Sequence, residues 1–370
     1  MVTSCILPCM TAPPRSVLSP VRLGPLELPN CVVMAPMSRR RAAAGGLATP
    51  LMATYYAQRA SAGLIITEAT WISPQGAGSE GAPGIHTDAH ARAWRQVTSA
   101  VHARGGRIFL QLWHAGRATH PALLPGGGSP VAPSALAPAG TIATPLGRQP
   151  FVVPHALEVE EIRAVVGEFA RAARLAREAD FDGIELHAGQ GYLIDQFLRD
   201  GANRRTDAYG GPAEHRVRFL LEVTHAACEV WGEGRVGVQL SPTSPLNDMA
   251  DSDPAATFGH AAEALNRFGL GYLQVFEPLD QTVSAPPITP SLRSRFRGVL
   301  IANGSYNKEA ADGAVASGAA DLVAFGRAFI ANPDLPERLA SGAPLAEPDR
   351  GTFYGGDARG YTDYPRHGGA

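Results

Sequence analysis

Cysteine is scarce in this chain: four residues, at positions 5, 9, 31 and 228, are spread over 370. That is too few, and too scattered, for a disulfide framework. Cys5 and Cys9 lack the companion ligands that a zinc site requires. Reduced thiols in a cytoplasmic protein are the expectation. Long apolar runs are missing too, and none reaches the length of a membrane span. Neither sign of charge is in excess, with 32 basic against 34 acidic residues, and no basic stripe suggests a nucleic-acid partner. The densest basic cluster, Arg39-Arg40-Arg41, reads as a solvated loop. His86, His90, His102, His114 and His120 show no metal-ligand spacing, so no metal is expected. Residues 1–17 carry Pro8, Pro13 and Pro14 and no basic stretch ahead of an apolar one. They read as a flexible N-terminal extension rather than a signal peptide, with residues 18–370 forming one domain. A monomer or homodimer is expected.

What is present is a regular alternation. Short β-branched runs at 32–35, 64–69, 107–112, 183–188, 236–241, 272–277, 299–303 and 322–326 predict strands. Between and after them, Ala/Arg/Glu-rich amphipathic runs predict helices at 51–62, 90–104, 158–179, 214–231, 254–268, 290–297, 307–317 and 329–339. Eight such units are the count of a closed α/β barrel, the single (β/α)8 or TIM barrel. An open doubly wound sheet is the rival, but it carries a glycine fingerprint after its first strand, and none is found. The Pro/Gly-rich stretch 123–148, after the third strand, predicts an inserted loop or hairpin region.

In such a barrel the working residues stand at the C-terminal ends of the strands. Period-two alternation along Gly183-Ile-Glu-Leu-His187 turns Glu185 and His187 toward the axis, and Gln190 and Tyr192 follow within a few residues. The same alternation groups Phe109, Gln111 and Trp113 on the third strand and Gly237, Gln239 and Ser241 on the fifth. Inward amides need partners, and two of them suit a flat polar ligand; a flavin ring, a sugar or a water cluster each satisfies that. Strands seven and eight end in Asn303-Gly304-Ser305 and Phe325-Gly326-Arg327. Barrels of this kind commonly build a phosphate site from those two loops. Arg205 and Asp207 read as a loop-bracing pair.

Several ordered blocks are more specific. They are Val33-Met-Ala-Pro-Met-Ser-Arg39, Tyr55-Tyr-Ala-Gln-Arg-Ala-Ser-Ala-Gly63, Gln111-Leu-Trp-His-Ala-Gly-Arg117 and Gly191-Tyr-Leu-Ile-Asp-Gln-Phe-Leu198. Arg205-Thr-Asp-Ala-Tyr-Gly-Gly211, Ala324-Phe-Gly-Arg-Ala-Phe-Ile-Ala-Asn-Pro-Asp-Leu335 and Phe353-Tyr-Gly-Gly356 complete the set. Over residues 18–365 the chain closely resembles the old yellow enzyme family, in particular its bacterial N-ethylmaleimide reductase branch. The resemblance implies a barrel carrying FMN at its C-terminal mouth, with NADPH or NADH as co-substrate and a small activated alkene as acceptor. It implies that Ala35, Pro36, Ser38, Ala69, Gln111 and Gln239 border the ring, and that Gly304, Ser305, Gly326 and Arg327 hold the phosphate. His187 and Gln190 would receive the substrate oxygen, Tyr192 would donate the proton, and Trp113, Tyr354 and Ser79 would line the substrate cavity.

Three positions depart from the family pattern. Gln190 stands where Asn or His is usual, Gln239 where an arginine faces the flavin, and Ser79 where a cavity tyrosine is common. The implied activity is ene-reduction: hydride from NAD(P)H to the β-carbon of an enone, nitroalkene or maleimide. A flavin-dependent desaturase or double-bond isomerase, and a barrel that binds a phosphorylated ligand without redox chemistry, are the alternatives.

Overall fold

A computed structural model describes residues 15–277 and 287–368. Residues 1–14, and with them most of the expected N-terminal extension and both Cys5 and Cys9, lie outside the described residues. Val17, at the end of that expected extension, is fully buried, and its carbonyl accepts the Cys31 N–H at 2.7 Å.

Among the described residues eight parallel strands close into a ring: β1 (Val32–Met34), β2 (Leu64–Ile66), β3 (Ile108–Trp113), β4 (Gly183–Ala188), β5 (Val236–Leu240), β6 (Tyr272–Phe276), β7 (Leu300–Asn303) and β8 (Leu322–Phe325). Each pairs with the next, and β8 returns to β1 through Val323–Val32 and Phe325–Met34. The strands are buried on both faces, as a parallel sheet wrapped by helices requires. The expected (β/α)8 barrel is what forms.

The helices follow from capping and apolar spacing. In α1 (Pro50–Gln58) the Thr49 side chain caps the Met52 N–H. The helix α2 (Asp88–His102) starts under Thr87 and buries Ala91, Trp94, Val97 and Val101. In α3 (Val159–Glu178) Glu158 and Glu161 form a reciprocal capping box, which satisfies two otherwise orphaned N–H groups. Ile162, Val165, Phe169, Ala172 and Ala176 face the strands.

Three features differ from the sequence expectation. The last helix, expected over 329–339, is two helices, Arg327–Ala331 and Leu335–Ser341. Pro333 forces the preceding Asn332 out of helical space, to φ −127°, ψ 84°. A hairpin, Val21–Leu23 with Leu26–Leu28, was not expected. It packs Gly24 against Gly234, just before β5, so it covers the end of the barrel remote from the strand C-termini. The expected hairpin region after β3 is present as Thr141–Thr144 paired with Gly147–Pro150, largely exposed.

The third difference is the arginine run, which is not a solvated loop. Arg39 and Arg41 are buried. Arg39 donates to the carbonyls of Phe353 and Gly360 at 2.9 and 2.8 Å, and Arg41 to those of Asp357 and Thr352 at 3.0 Å each. Tyr361 stacks on Tyr55 with ring centroids 4.0 Å apart. These contacts tie the segment 352–361 across the front of β1.

Candidate active site

Side chains inside the barrel stack in layers set by the strand register. At the lower level β4 and β5 contribute glycine, and the rings of Phe109 and Tyr272 fill the space. A Cβ on Gly183 would come within 2.3 Å of the Phe109 ring, and one on Gly237 within 2.2 Å of the Tyr272 ring. Two residues further along each strand the layer is polar. Gln111 Nε2 donates to Glu185 at 2.8 Å and to Gln239 Oε1 at 3.0 Å, and Gln274 Nε2 donates to the other Glu185 oxygen at 2.7 Å. Glu185 is fully buried with no ion pair among the described residues, and burial pushes its carboxyl up to about 8.

Above this layer a cavity of about 1090 Å³ opens at the strand C-termini. Gln111 and Gln239 lie in its floor. Ala35, Pro36 and Ser38 enter from the loop after β1, and Ala69 from the loop after β2. At the side of β7 and β8 the lining includes Ser305, Gly326 and Arg327. His187, Gln190, Tyr192 and Tyr354 line the same space. Three expected residues are not in that lining. Gly304 lies between two residues that are, Asn303 and Ser305. Trp113 is buried behind Tyr192, ring edge to face at 5.1 Å, and Ser79 sits half-buried in its glycine-rich loop.

The strand-to-helix turn after β4 sets the geometry of the polar wall. Gln190 and Gly191 both take left-handed backbone, at φ 56° and 77°. A Cβ on Gly191 would lie 2.5 Å from the Leu246 carbonyl, so glycine is the residue that fits. The Gln190 N–H is spent on Ser241 Oγ, and its carbonyl accepts from Asn247 Nδ2 at 2.8 Å. Tyr192 caps a short helix, Leu193–Leu198, which sequence patterning did not reveal. Its ring meets the His187 ring at 4.9 Å, nearly perpendicular.

Burial dictates the protonation states. It drives His187 down to about 3, so the imidazole is neutral, and its Nδ1 is buried without a protein partner among the described residues. Burial raises the Tyr192 phenol above its ordinary value, although the Arg40 charge opposes the shift, so the hydroxyl keeps its proton at neutral pH.

Arg40 and Asn247 are among the lining residues that the sequence does not single out. Arg40 was absorbed into a charge run, and nothing in that run separates it from its buried neighbours. Asn247 sits in the loop after β5, at φ 60°; the loop's proline, serine and aspartate content marks a turn and no more.

The residues present fit FMN. The carbonyl of Gln111 and the NH2 group of Gln239, left over from the network below, offer an acceptor and a donor to the edge of a flat ring. The unpartnered His187 nitrogen belongs to the wall beside it, and Arg327 with the Ser305 loop offers a cationic end for a phosphate.

Comparison with known proteins agrees. Residues 16–346 match the NADH:flavin oxidoreductase / NADH oxidase family. A putative 12-oxophytodienoate reductase 11 of Oryza sativa subsp. japonica is 43% identical over 363 residues, covering 96% of this chain and 98% of that protein. A probable flavin mononucleotide-dependent alkene reductase of Leishmania infantum is also 43% identical, over 96% of this chain and the whole of that one (100%). Among solved structures, morphinone reductase superposes with a TM-score of 0.92 at 46% identity, covering 97% of this chain and 98% of its own.

Proposed function

This chain belongs to the NADH:flavin oxidoreductase / NADH oxidase family, and we propose, on that premise, that it is an ene-reductase acting on alkenes conjugated to a carbonyl or nitro group. FMN, when bound, supplies the hydride chemistry, accepting from reduced nicotinamide and donating to the β-carbon of the acceptor. The observation that carries the proposal is the wall formed by His187, Gln190 and Tyr192 over a floor of barrel amides.

As hydride arrives at the β-carbon, negative charge gathers on the carbonyl or nitro oxygen. Neutral His187 donates its one N–H to that oxygen. Gln190, whose backbone is fully engaged, offers its side-chain amide to the same atom. Donors placed for developing charge are each worth about 3 kcal/mol. Tyr192 gives its hydroxyl proton to the α-carbon and regains one from solvent. Gln190 carries one methylene more than the usual asparagine, which shifts the amide by about one bond length and alters the pose of the acceptor.

Anaerobic stopped-flow absorbance tests this reading. The yellow holoprotein bleaches on mixing with NADPH or NADH, and the colour returns on adding 2-cyclohexenone or a nitroalkene. A protein that bleaches but is not reoxidised by any activated alkene overturns it. Isomerisation without nicotinamide turnover favours the double-bond isomerase, and a chain that retains no flavin favours the non-redox barrel. Among the described residues no helix is long and apolar enough to cross a membrane. Cys31 and Cys228 are free thiols, in keeping with a cytoplasmic setting.

A further inference from the structure

Arg40 is the feature of the cavity that the reaction above does not use. It lines the space shared by His187, Tyr192 and Tyr354. Its backbone is left-handed, at φ 57°, a conformation that a non-glycine residue holds only where its surroundings impose it. The imposing group is Glu68, buried behind it. One Glu68 oxygen accepts the N–H groups of both Arg39 and Arg40, at 3.0 and 2.9 Å. Gly81 presses on the same backbone from outside; a Cβ there would lie 2.6 Å from the Arg40 carbonyl. The side chain is thereby aimed into the cavity, with the guanidinium 4.8 Å from the centre of the Tyr354 ring.

Arg40 forms no ion pair with any described residue, and its Nε is buried with no hydrogen-bond partner. Its neighbours in the run are spent on backbone carbonyls, whereas Arg40 is not. What the cavity meets is the guanidinium beside the Tyr354 ring, a cation with no carboxylate opposite it among the described residues, and such a charge is costly unless an anion completes it. The charge also reaches Tyr192, whose ionisation it favours.

We propose that Arg40 is a specificity-determining residue that receives the carboxylate of an anionic acceptor, so that the preferred substrates are activated alkenes bearing a carboxylate on the side facing Tyr354. The proposal rests on the ene-reductase reading for its substrate class. The guanidinium is suited to that role because its planar fork matches a carboxylate. The other anion that could reach it is a phosphate of the nicotinamide dinucleotide.

The test compares 4-(2-nitrovinyl)benzoate with its methyl ester, and NADPH with NADH, in wild type, Arg40→Met and Arg40→Lys. In wild type the acid is expected to show a KM about tenfold below that of the ester, the scale of one charge-assisted contact. Arg40→Met raises the acid's KM by about that factor relative to the ester's, with flavin reduction by both nicotinamides keeping its rate, and Arg40→Lys restores most of the preference. Equal KM values for acid and ester in wild type overturn the proposal. So does an Arg40→Met variant that loses discrimination between NADPH and NADH while keeping it between acid and ester. Should the methionine variant fold poorly, wild type alone decides through inhibition by 4-hydroxybenzoate against methyl 4-hydroxybenzoate: equal inhibition refutes the carboxylate contact. If neither nitroalkene is reduced, the ene-reductase reading fails, and equilibrium binding of the same phenolic pair still reads out Arg40.

Discussion

At the scale of single residues, the chemistry turns on groups that burial has fixed in one protonation state. His187 is neutral far below physiological pH. On the proposed roles, His187→Ala lowers kcat/KM for 2-cyclohexenone by about 100-fold while flavin reduction by nicotinamide keeps its rate. Tyr192→Phe leaves the same reductive step intact and slows reoxidation by the alkene. Single-turnover traces of the two half-reactions separate these outcomes. Because the Tyr192 phenol is raised by burial, its hydroxyl stays protonated past the ordinary phenol value. The wild-type reoxidation rate should therefore show no loss up to about pH 9. Gln239 makes a prediction of another kind. A neutral amide at the floor cannot offset the charge that reduction adds. Gln239→Arg therefore raises the midpoint potential of the bound flavin, and a spectroelectrochemical titration giving an unchanged or lower value contradicts this.

At the scale of elements, the inward faces of β3, β4, β5 and β6 together make one polar layer around Glu185. Its folded-state value of about 8 lies above the ordinary 4.5, so the folded chain holds that proton more tightly than the unfolded one. The resulting stability is fully present below about pH 4.5 and drains away as pH climbs to about 8. Glu185→Gln removes the titrating proton and keeps the shape, and the neighbouring amides can rotate to meet it. Relative to this variant, wild type should lose stability on the order of 5 kcal/mol across that window. Urea unfolding at a series of pH values measures it, and a gap that stays constant with pH refutes it. Much of this layer was legible in the sequence, because a period of two is enough to place Glu185, Gln111 and Gln239 on one face. What could not be read was which amide spends its hydrogens where, since the register between neighbouring strands decides that. The break at Pro333 was missed for a different reason: apolar spacing continues through it, and backbone sterics, not hydropathy, set the boundary. The helix Leu193–Leu198 spans less than two turns, too short for a helical period to declare itself.

At the scale of the whole molecule, the front of the cavity is held by contacts between residues far apart in the chain. Arg39, Arg41 and Arg59 feed hydrogen bonds into the backbone of 352–361 and of the helix after β8. A run of arginines suggested solvent because charge density is what sequence displays, whereas the carbonyls that satisfy these groups come from some three hundred residues away. Arg39→Met removes the donor from the carbonyls of Phe353 and Gly360 and is expected to cost about 3 kcal/mol. The segment carrying Tyr354 should become the first site of limited proteolysis, and an unaltered cleavage pattern contradicts this. The closure of the ring carries a kinetic cost of its own. The β8–β1 seam joins Val323 to Val32, far apart in the chain, and any intermediate in which the ring is still open exposes two bare strand edges. Refolding from denaturant should accordingly be slow, and its yield should fall steeply with protein concentration. Once the seam is zipped the ring of eight strands has no open edge of its own to recruit a neighbour, and the native barrel tolerates crowding that its precursors do not.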